Sequence, residues 1–351
     1  MSVAVFVARM SRLFFSVGMA ALLGSLAVSP AHAVTIDWVT VGDPGNAADN
    51  TTGYGAVADS FLTMKYEWTN TQYAAFLNSV AAADPYSLYN VSMGTGGNSR
   101  GGILRSGSSG SYTYAVIADM GDKPVNWVNW FDAARVANWM HNGQGSGSTE
   151  TGAYTLNGAV SGTAPARNPG AKFFIPTGDQ WYKAAFYKGG GTNAGYWTYA
   201  TQSDTAPTTV TAGTTGIGSA GSSGNFANYL NAADWNGQDG NVTTVGTNGR
   251  SGAYGTFDMN GNVSEWNDLT GAAGSTRGLW GGSFSTFANA LASTNDSINA
   301  PVITNTAIGF RLAALTSAVP EIDPAGFGSV AALLTGALGL IERRRLKAKA
   351  G

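Results

Sequence analysis

The chain contains no cysteine among its 351 residues, so no disulfide, thiolate metal ligand or cysteine nucleophile is available to it. Histidine is nearly absent too, with two residues, and charged residues make up only 11% of the sequence. There is no H-E-x-x-H helix, no phosphate-binding glycine loop and no G-x-S-x-G elbow. Basic clusters are missing between the two ends. Of 19 Lys and Arg, seven fall in the terminal segments, as do three of 21 Asp and Glu, which leaves 12 against 18 and a net charge of −6. A mildly acidic body without a basic face argues against nucleic acid or anionic lipid as a partner and is compatible with bound cations.

What is present is glycine, with 49 residues, and ten tryptophans, all between Trp38 and Trp280. Aromatics at that density bury large areas, so the glycine content reads as long surface loops on a packed body rather than as disorder.

The two ends read as addresses. Arg9 and Arg12 precede an apolar run from Leu13 to Val28, and Ala31-His32-Ala33 has the small-x-small form of a cleavage site. Residues 1–33 are therefore expected to be a signal peptide cut by signal peptidase; the alternative is a retained first membrane helix. At the other end, Val319-Pro320-Glu321 is followed by an apolar run from Pro324 to Ile341 and by Arg343-Arg344-Arg345. The run nearly matches a bilayer core, and the arginines would hold its end in the cytoplasm. Residues 317–351 resemble a PEP-CTERM sorting signal with a transmembrane segment at 324–341, which implies an exosortase-type enzyme as a transient partner. The alternative is a plain C-terminal anchor. Both place the protein at the cell surface or in the extracellular matrix, transiently membrane-anchored.

Residues 34–316 are expected to form one α+β domain. Strand-like alternation runs through Val34–Val41 and Phe61–Trp68. Thr69 or Asn70 can cap a helix whose Tyr73, Phe76, Leu77 and Val80 follow helical spacing. Asn129 can cap a second helix with Ala133, Val136, Ala137 and Met140 buried, and Thr177 with Gln180 has capping-box spacing for a third. Gly- and Ser-rich loops separate these elements, and no repeat of fixed period is present.

Five blocks carry a resemblance. Gly255–Asp268 reads G-T-F-D-M-N-G-N-V-S-E-W-N-D and is similar to the G-L-x-D-M-x-G-N-V-W-E-W signature of the formylglycine-generating enzyme (sulfatase-modifying factor) family. Glu67-Trp-Thr-Asn-Thr-Gln-Tyr, Lys123-Pro-Val-Asn-Trp-Val-Asn-Trp-Phe-Asp-Ala, Phe174-Ile-Pro-Thr-Gly-Asp-Gln-Trp, and Gly281-Gly-Ser-Phe with Gly309-Phe-Arg resemble its other blocks, in order. The resemblance implies a compact, irregular, C-type-lectin-like fold. On residue type alone, Trp127, Trp130, Trp181 and Trp266 read as core, Arg311 as a buried arginine paired to a carboxylate, and His141 as a helix-terminal residue favourable to the dipole.

The family's oxidase chemistry uses copper held by two cysteines shortly after the G-G-S motif. Thr286 and Leu291 occupy those positions here, and neither a hydroxyl nor an isobutyl group binds Cu(I). Ser264 replaces the tryptophan of G-N-V-W-E-W. No catalytic residue is expected, and copper is not expected. Members that use histidine and glutamate for iron are poorly matched by a body with a single histidine.

The resemblance also implies two calcium sites, in keeping with calcium's preference for six to eight oxygens on a turning loop. One comprises the side chain of Asp258, the carbonyls of Gly261 and Val263, and the side chain of Glu265. The other comprises Asn228, the Tyr229 carbonyl, Asp239 and Asn241. The alternative is that these residues build only turns. The function expected is a non-catalytic binding or structural domain facing a polysaccharide or surface protein; the competing expectation is a divergent surface oxidoreductase.

Overall fold

The computed structural model describes residues 34–94 and 100–318. The signal-peptide, sorting-signal and C-terminal membrane-segment expectations lie outside the described residues, apart from Ser317 and Ala318. Among the described residues no helix is long and apolar enough to cross a membrane.

The chain begins with strand β1 (Trp38–Val41) and β2 (Phe61–Met64), which pair antiparallel with Trp38 opposite Met64 and Val41 opposite Phe61. Strand β1 is shorter than the alternation suggests. Val34 is held instead by the Gln144 side chain, whose Oε1 accepts from Val34 N (2.6 Å) and whose Nε2 donates to Val34 O (3.1 Å). Helix α1 (Asn70–Val80) follows. Its cap is Thr69: Oγ1 accepts from Gln72 N while Gln72 Oε1 accepts from Thr69 N, so two orphan amides at the helix start are satisfied reciprocally. Asn70 is buried, and its Nδ2 donates to Met120 O at 2.9 Å. Strands β3 (Ile103–Ser106) and β4 (Thr113–Val116) make a hairpin against α1.

Helix α2 (Trp130–His141) is enclosed on all sides rather than along the one stripe that its spacing suggests. Every residue from Trp130 to Met140 is buried, Arg135 and Asn138 included. Arg135 is made tolerable there by Glu150, which accepts from Nε and Nη2, and Asn138 by carbonyls of Thr149 and Tyr154. The cap is Asn129, in a reciprocal box with Asp132. Strand β5 (Phe173–Phe174) then leads into α3 (Gly178–Phe186), capped by Thr177 with Gln180.

After α3 come β6 (Thr208–Thr209), β7 (Phe226–Ala227), β8 (Ser264–Asn267), β9 (Arg277–Trp280), β10 (Ile298–Asn299), β11 (Ile308–Gly309) and β12 (Ala313–Leu315). Two four-stranded sheets result, ordered β1-β2-β12-β5 and β10-β9-β8-β11. The last strand therefore returns to pair with β2, and β11 lies parallel to β8. The main core is aromatic: Trp181 meets Trp280 edge-on at 5.8 Å and Trp130 meets Tyr154 at 5.2 Å. The fold is mixed α and β with few helices, and irregular connections carry most of its length.

Because Asn129 and Asp132 cap a helix with no exposed face to compensate, Asn129→Ala is expected to lower unfolding free energy by about 1 kcal/mol. Urea unfolding followed by tryptophan fluorescence measures it, as a shift in midpoint at unchanged slope.

Candidate functional site

The signature segment folds into a left-handed turn before entering β8. Asp258 (φ 57°) and Asn262 (φ 60°) both take the conformation that aspartate and asparagine tolerate better than most side chains. Gly261 lies between them, and a Cβ there would sit 2.2 Å from Asn228 O, so only glycine fits. The close approach forms a parallel bridge in which Asn262 N donates to Asn228 O at 2.8 Å. The two candidate metal loops, about thirty residues apart in sequence, are thus in contact.

The first loop is already supplied with donors. Glu265 Oε1 accepts from Arg311 Nη2 at 2.6 Å, and Oε2 accepts from Arg311 Nε at 2.7 Å and Trp181 Nε1 at 2.8 Å. Asp258 Oδ2 accepts from Gly246 N at 2.5 Å and Oδ1 from Asn248 Nδ2 at 2.8 Å. Beside them lies Glu67, fully buried, accepting from Asn262 Nδ2 (2.7 Å) and Val263 N (3.1 Å). Sequence reading did not single out Glu67 as a site residue. The available signal was its place at the head of the Glu67–Tyr73 block, next to a strand end.

Three buried carboxylates thus share one arginine. Burial, then the charges of Asp258 and Glu265, push Glu67 well above the usual carboxylate range, against the pull of Arg311 and Asn262. Burial raises Asp258 as well, opposed by its two N–H donors. Burial works against the Arg311 charge, but Glu265 outweighs it and the guanidinium is held more firmly protonated.

The second loop differs. Asn228 is buried and donates through Nδ2 to Asn241 O at 2.8 Å, to Thr243 Oγ1 and to Asn262 Oδ1. Its Oδ1 is buried with no hydrogen-bond partner. The structure therefore brings Asn228 and Asn241 together. Tyr229 O accepts from Ala232 N, while Asp239 is exposed and its carbonyl accepts from Arg100 Nη2. Among the described residues, no three His, Cys, Asp or Glu side chains gather as a metal cluster, so cation ligation here would rest on amide and carbonyl oxygens.

Thr286 and Leu291 are neighbours in space. A Cβ on Gly282 (φ 69°) would meet Thr286 Oγ1 at 2.8 Å and Leu291 Cδ1 at 2.9 Å. Thr286 Oγ1 accepts from Ser283 N (2.9 Å) and donates to Ser283 O (3.1 Å), closing its own turn. Leu291 is fully buried with Ala227 and Tyr229, and its carbonyl accepts from Asn260 Nδ2 of the signature turn. A spent hydroxyl and a packed isobutyl group offer copper no soft donor, so this pair does not fit the metal.

Residues 40–315 match the sulfatase-modifying factor enzyme 1-like domain. The chain belongs to that family. No curated protein matches it. Solved structures that resemble it include Treponema denticola variable protein 1, at 18% identity, TM-score 0.47, 81% of this chain and 96% of that one. CarF is 22% identical, with TM-score 0.46, over 80% of this chain and 98% of its own. PvdO from Pseudomonas aeruginosa is 18% identical, with TM-score 0.38, over 80% and 92%.

In this member of the family the tryptophans of the blocks are structural. Trp130 Nε1 donates to Asp268 Oδ1 (2.9 Å), Trp181 to Glu265, and Trp266 to Val128 O (3.2 Å). Trp127 packs against the core from a half-buried position at φ 61°. His141 needs a correction. It was expected to act on the helix dipole as a charge, yet Nδ1 accepts from Lys172 N at 3.0 Å, which requires the ring unprotonated there. Burial and the Lys172 charge lower its pKa, so it caps an amide rather than carrying charge.

Arg311→Ala leaves Glu265 buried and uncompensated and is expected to cost about 3–5 kcal/mol, whereas Arg311→Met with Glu265→Met should cost less than that single change. Chemical denaturation of both variants checks the order. A second expectation concerns pH. Glu67, Asp258 and Asp268 are raised by burial, and burial brings Asp132 to about 8. A raised carboxyl binds its proton more tightly in the folded state, so stability is present near the unfolded value, about pH 4, and is lost as pH rises through the folded value. His141 acts oppositely below about pH 6.5, but it is partly solvated and contributes less. With chelator present, the urea midpoint should therefore be higher at pH 5.5 than at pH 8.5; the reverse order would show that the donors around these carboxylates outweigh their desolvation.

Proposed function

We propose that this chain is an exported, non-catalytic member of the sulfatase-modifying factor family whose role is binding or structural. The observation that carries the reading is the Thr286–Leu291 pair. It lies where the family's thiols are expected, and both side chains are committed, one to closing a turn and the other to an apolar cluster. What remains is a scaffold with long polar loops, which suits display and recognition more than chemistry. In this reading residues 1–33 direct export and are removed by signal peptidase. Residues 317–351 bring the domain to an exosortase-type enzyme at the membrane, and it faces the cell surface or extracellular matrix.

Calcium belongs to the same proposal. The second loop supports it best, because the buried, unpartnered Asn228 Oδ1 is an oxygen awaiting a cation or a water. Asn241, the Tyr229 carbonyl and Asp239 would complete that set. In the first loop, Asp258 and Glu265 would bind calcium only while also holding Asn248, Gly246, Arg311 and Trp181. Calcium's function would be to pin the loop, with no part in a reaction.

Two measurements test this. Metal analysis of the purified protein should find calcium, with neither copper nor iron in stoichiometric amount; stoichiometric copper or iron would overturn the non-catalytic reading in favour of a divergent surface oxidoreductase. Calcium should raise the melting temperature of chelator-treated protein, and Asn228→Ala should abolish most of that rise.

A further inference from the structure

A groove lies on the side of the domain where the described chain begins. Val34, Tyr66, Thr71, Gln72, Asp122 and Thr244 are among its lining residues, and its volume is about 710 Å³. That falls within the range of small-ligand clefts, about 300–1,000 Å³. A second hollow of about 170 Å³ shares Thr35, Tyr66, Thr69 and Gln72 with it and adds Asp37. Each hollow has an exposed carboxylate in its lining, Asp122 in the larger and Asp37 in the smaller.

The elements hold this groove in place. Gln72 is fixed by the α1 capping box and also reaches across to donate to Thr35 O at 3.3 Å. Thr244 Oγ1 accepts from the buried Lys123 Nζ at 2.9 Å, and Val245 N donates to Asp122 O. Tyr66 lies flat against Gly246, where any side chain would collide: a Cβ would meet its Cε1 at 2.6 Å. The walls are thus preorganised, which spares a ligand the cost of ordering them.

The lining chemistry selects the ligand class. Hydroxyls of Thr35, Thr69, Thr71, Thr244 and Tyr66 and the carboxamide of Gln72 supply donors and acceptors, and Val34, Ala75 and Val245 supply apolar surface. Among the residues lining the larger hollow, Asp122 is the only Asp, Glu, Lys, Arg or His. Of the nearby lysines, the buried Lys123 is held by Thr215 O and the lining Thr244 Oγ1, and Lys65 lies over the Tyr66 and Phe257 rings. A polyanion would meet the Asp122 and Asp37 carboxylates, and a purely apolar ligand would strand the hydroxyls.

We propose that this groove binds a neutral oligosaccharide segment of a few sugar rings, with Asp122 and Gln72 accepting and donating hydrogen bonds to its hydroxyls. The inference deepens the binding role proposed above and rests on it in one respect: Val34 and Thr35 form a wall, so the groove is complete in the exported chain that begins near Val34.

Isothermal titration of the exported protein against maltohexaose, cellohexaose, laminarihexaose and mannohexaose, with oligogalacturonate and oligomannuronate as acidic counterparts, provides the test. At least one neutral hexasaccharide should bind, and neither uronate should bind as well. Asp122→Ala and Thr71→Trp alter exposed positions and should leave the melting temperature unchanged while weakening that binding at least tenfold. No binding by any neutral member, or tighter binding of a uronate, would overturn the assignment. Neutral-glycan binding that survives both substitutions would overturn the groove alone and leave the broader binding role standing.

Discussion

The Arg311–Glu265 pair is the interaction on which the rest of this structure depends. Both groups are fully buried, and each would be strongly disfavoured alone in a low-dielectric interior. Two parallel N–H to oxygen bonds of 2.6 and 2.7 Å join them, and the remaining guanidinium protons go to Phe257 O, Met64 O and Lys65 O. Trp181 donates to the same carboxylate from α3. One ion pair thereby ties together β2, the turn before β8, helix α3 and the link between β11 and β12. Removing it would free elements that short strands and long loops hold only weakly by themselves.

A second consequence follows from the local charge. Glu67 and Asp258 stand near the pair without a cation of their own; Glu67 accepts from Asn262 and Val263 of the turn, and Asp258 accepts from Gly246 and Asn248 of a neighbouring loop. These N–H donors pull against the effect of burial without overcoming it. The left-handed residues Asp258 and Asn262 with Gly261 aim those groups correctly, so the turn's backbone strain and its hydrogen-bonding are one arrangement. The same turn reaches Asn228 on one side and, through Asn260, the Leu291 carbonyl on the other. The turn that stabilises this fold is therefore joined directly to both the Asn228 and the Leu291 segments.

Much of this was legible in the sequence. Thr69 or Asn70, Asn129 and Thr177 announced three helix starts because capping is local, set by residues three positions apart, and in the structure the first cap is Thr69. The five blocks announced the family, and the absence of cysteine excluded any thiolate metal ligand. Other features were not legible. Spacing suggested one buried stripe on α2, yet all its faces are covered, since the neighbours that cover it come from distant loops. The His141 ring was read as a charge, but its partner is an amide 31 residues away.

The sequence by itself determined where three helices start, the family and the absence of thiols, because each depends on residue identity at short range or in fixed order. Only the tertiary structure decided which carboxylate Arg311 holds, that Glu67 joins the signature turn, and that the two candidate calcium loops touch. It alone also left one amide oxygen unpaired at Asn228 and opened a hydroxyl-lined groove beside Tyr66. The physical reason is shared: desolvation and pairing depend on what surrounds a group, and residues up to 247 positions apart meet around Arg311.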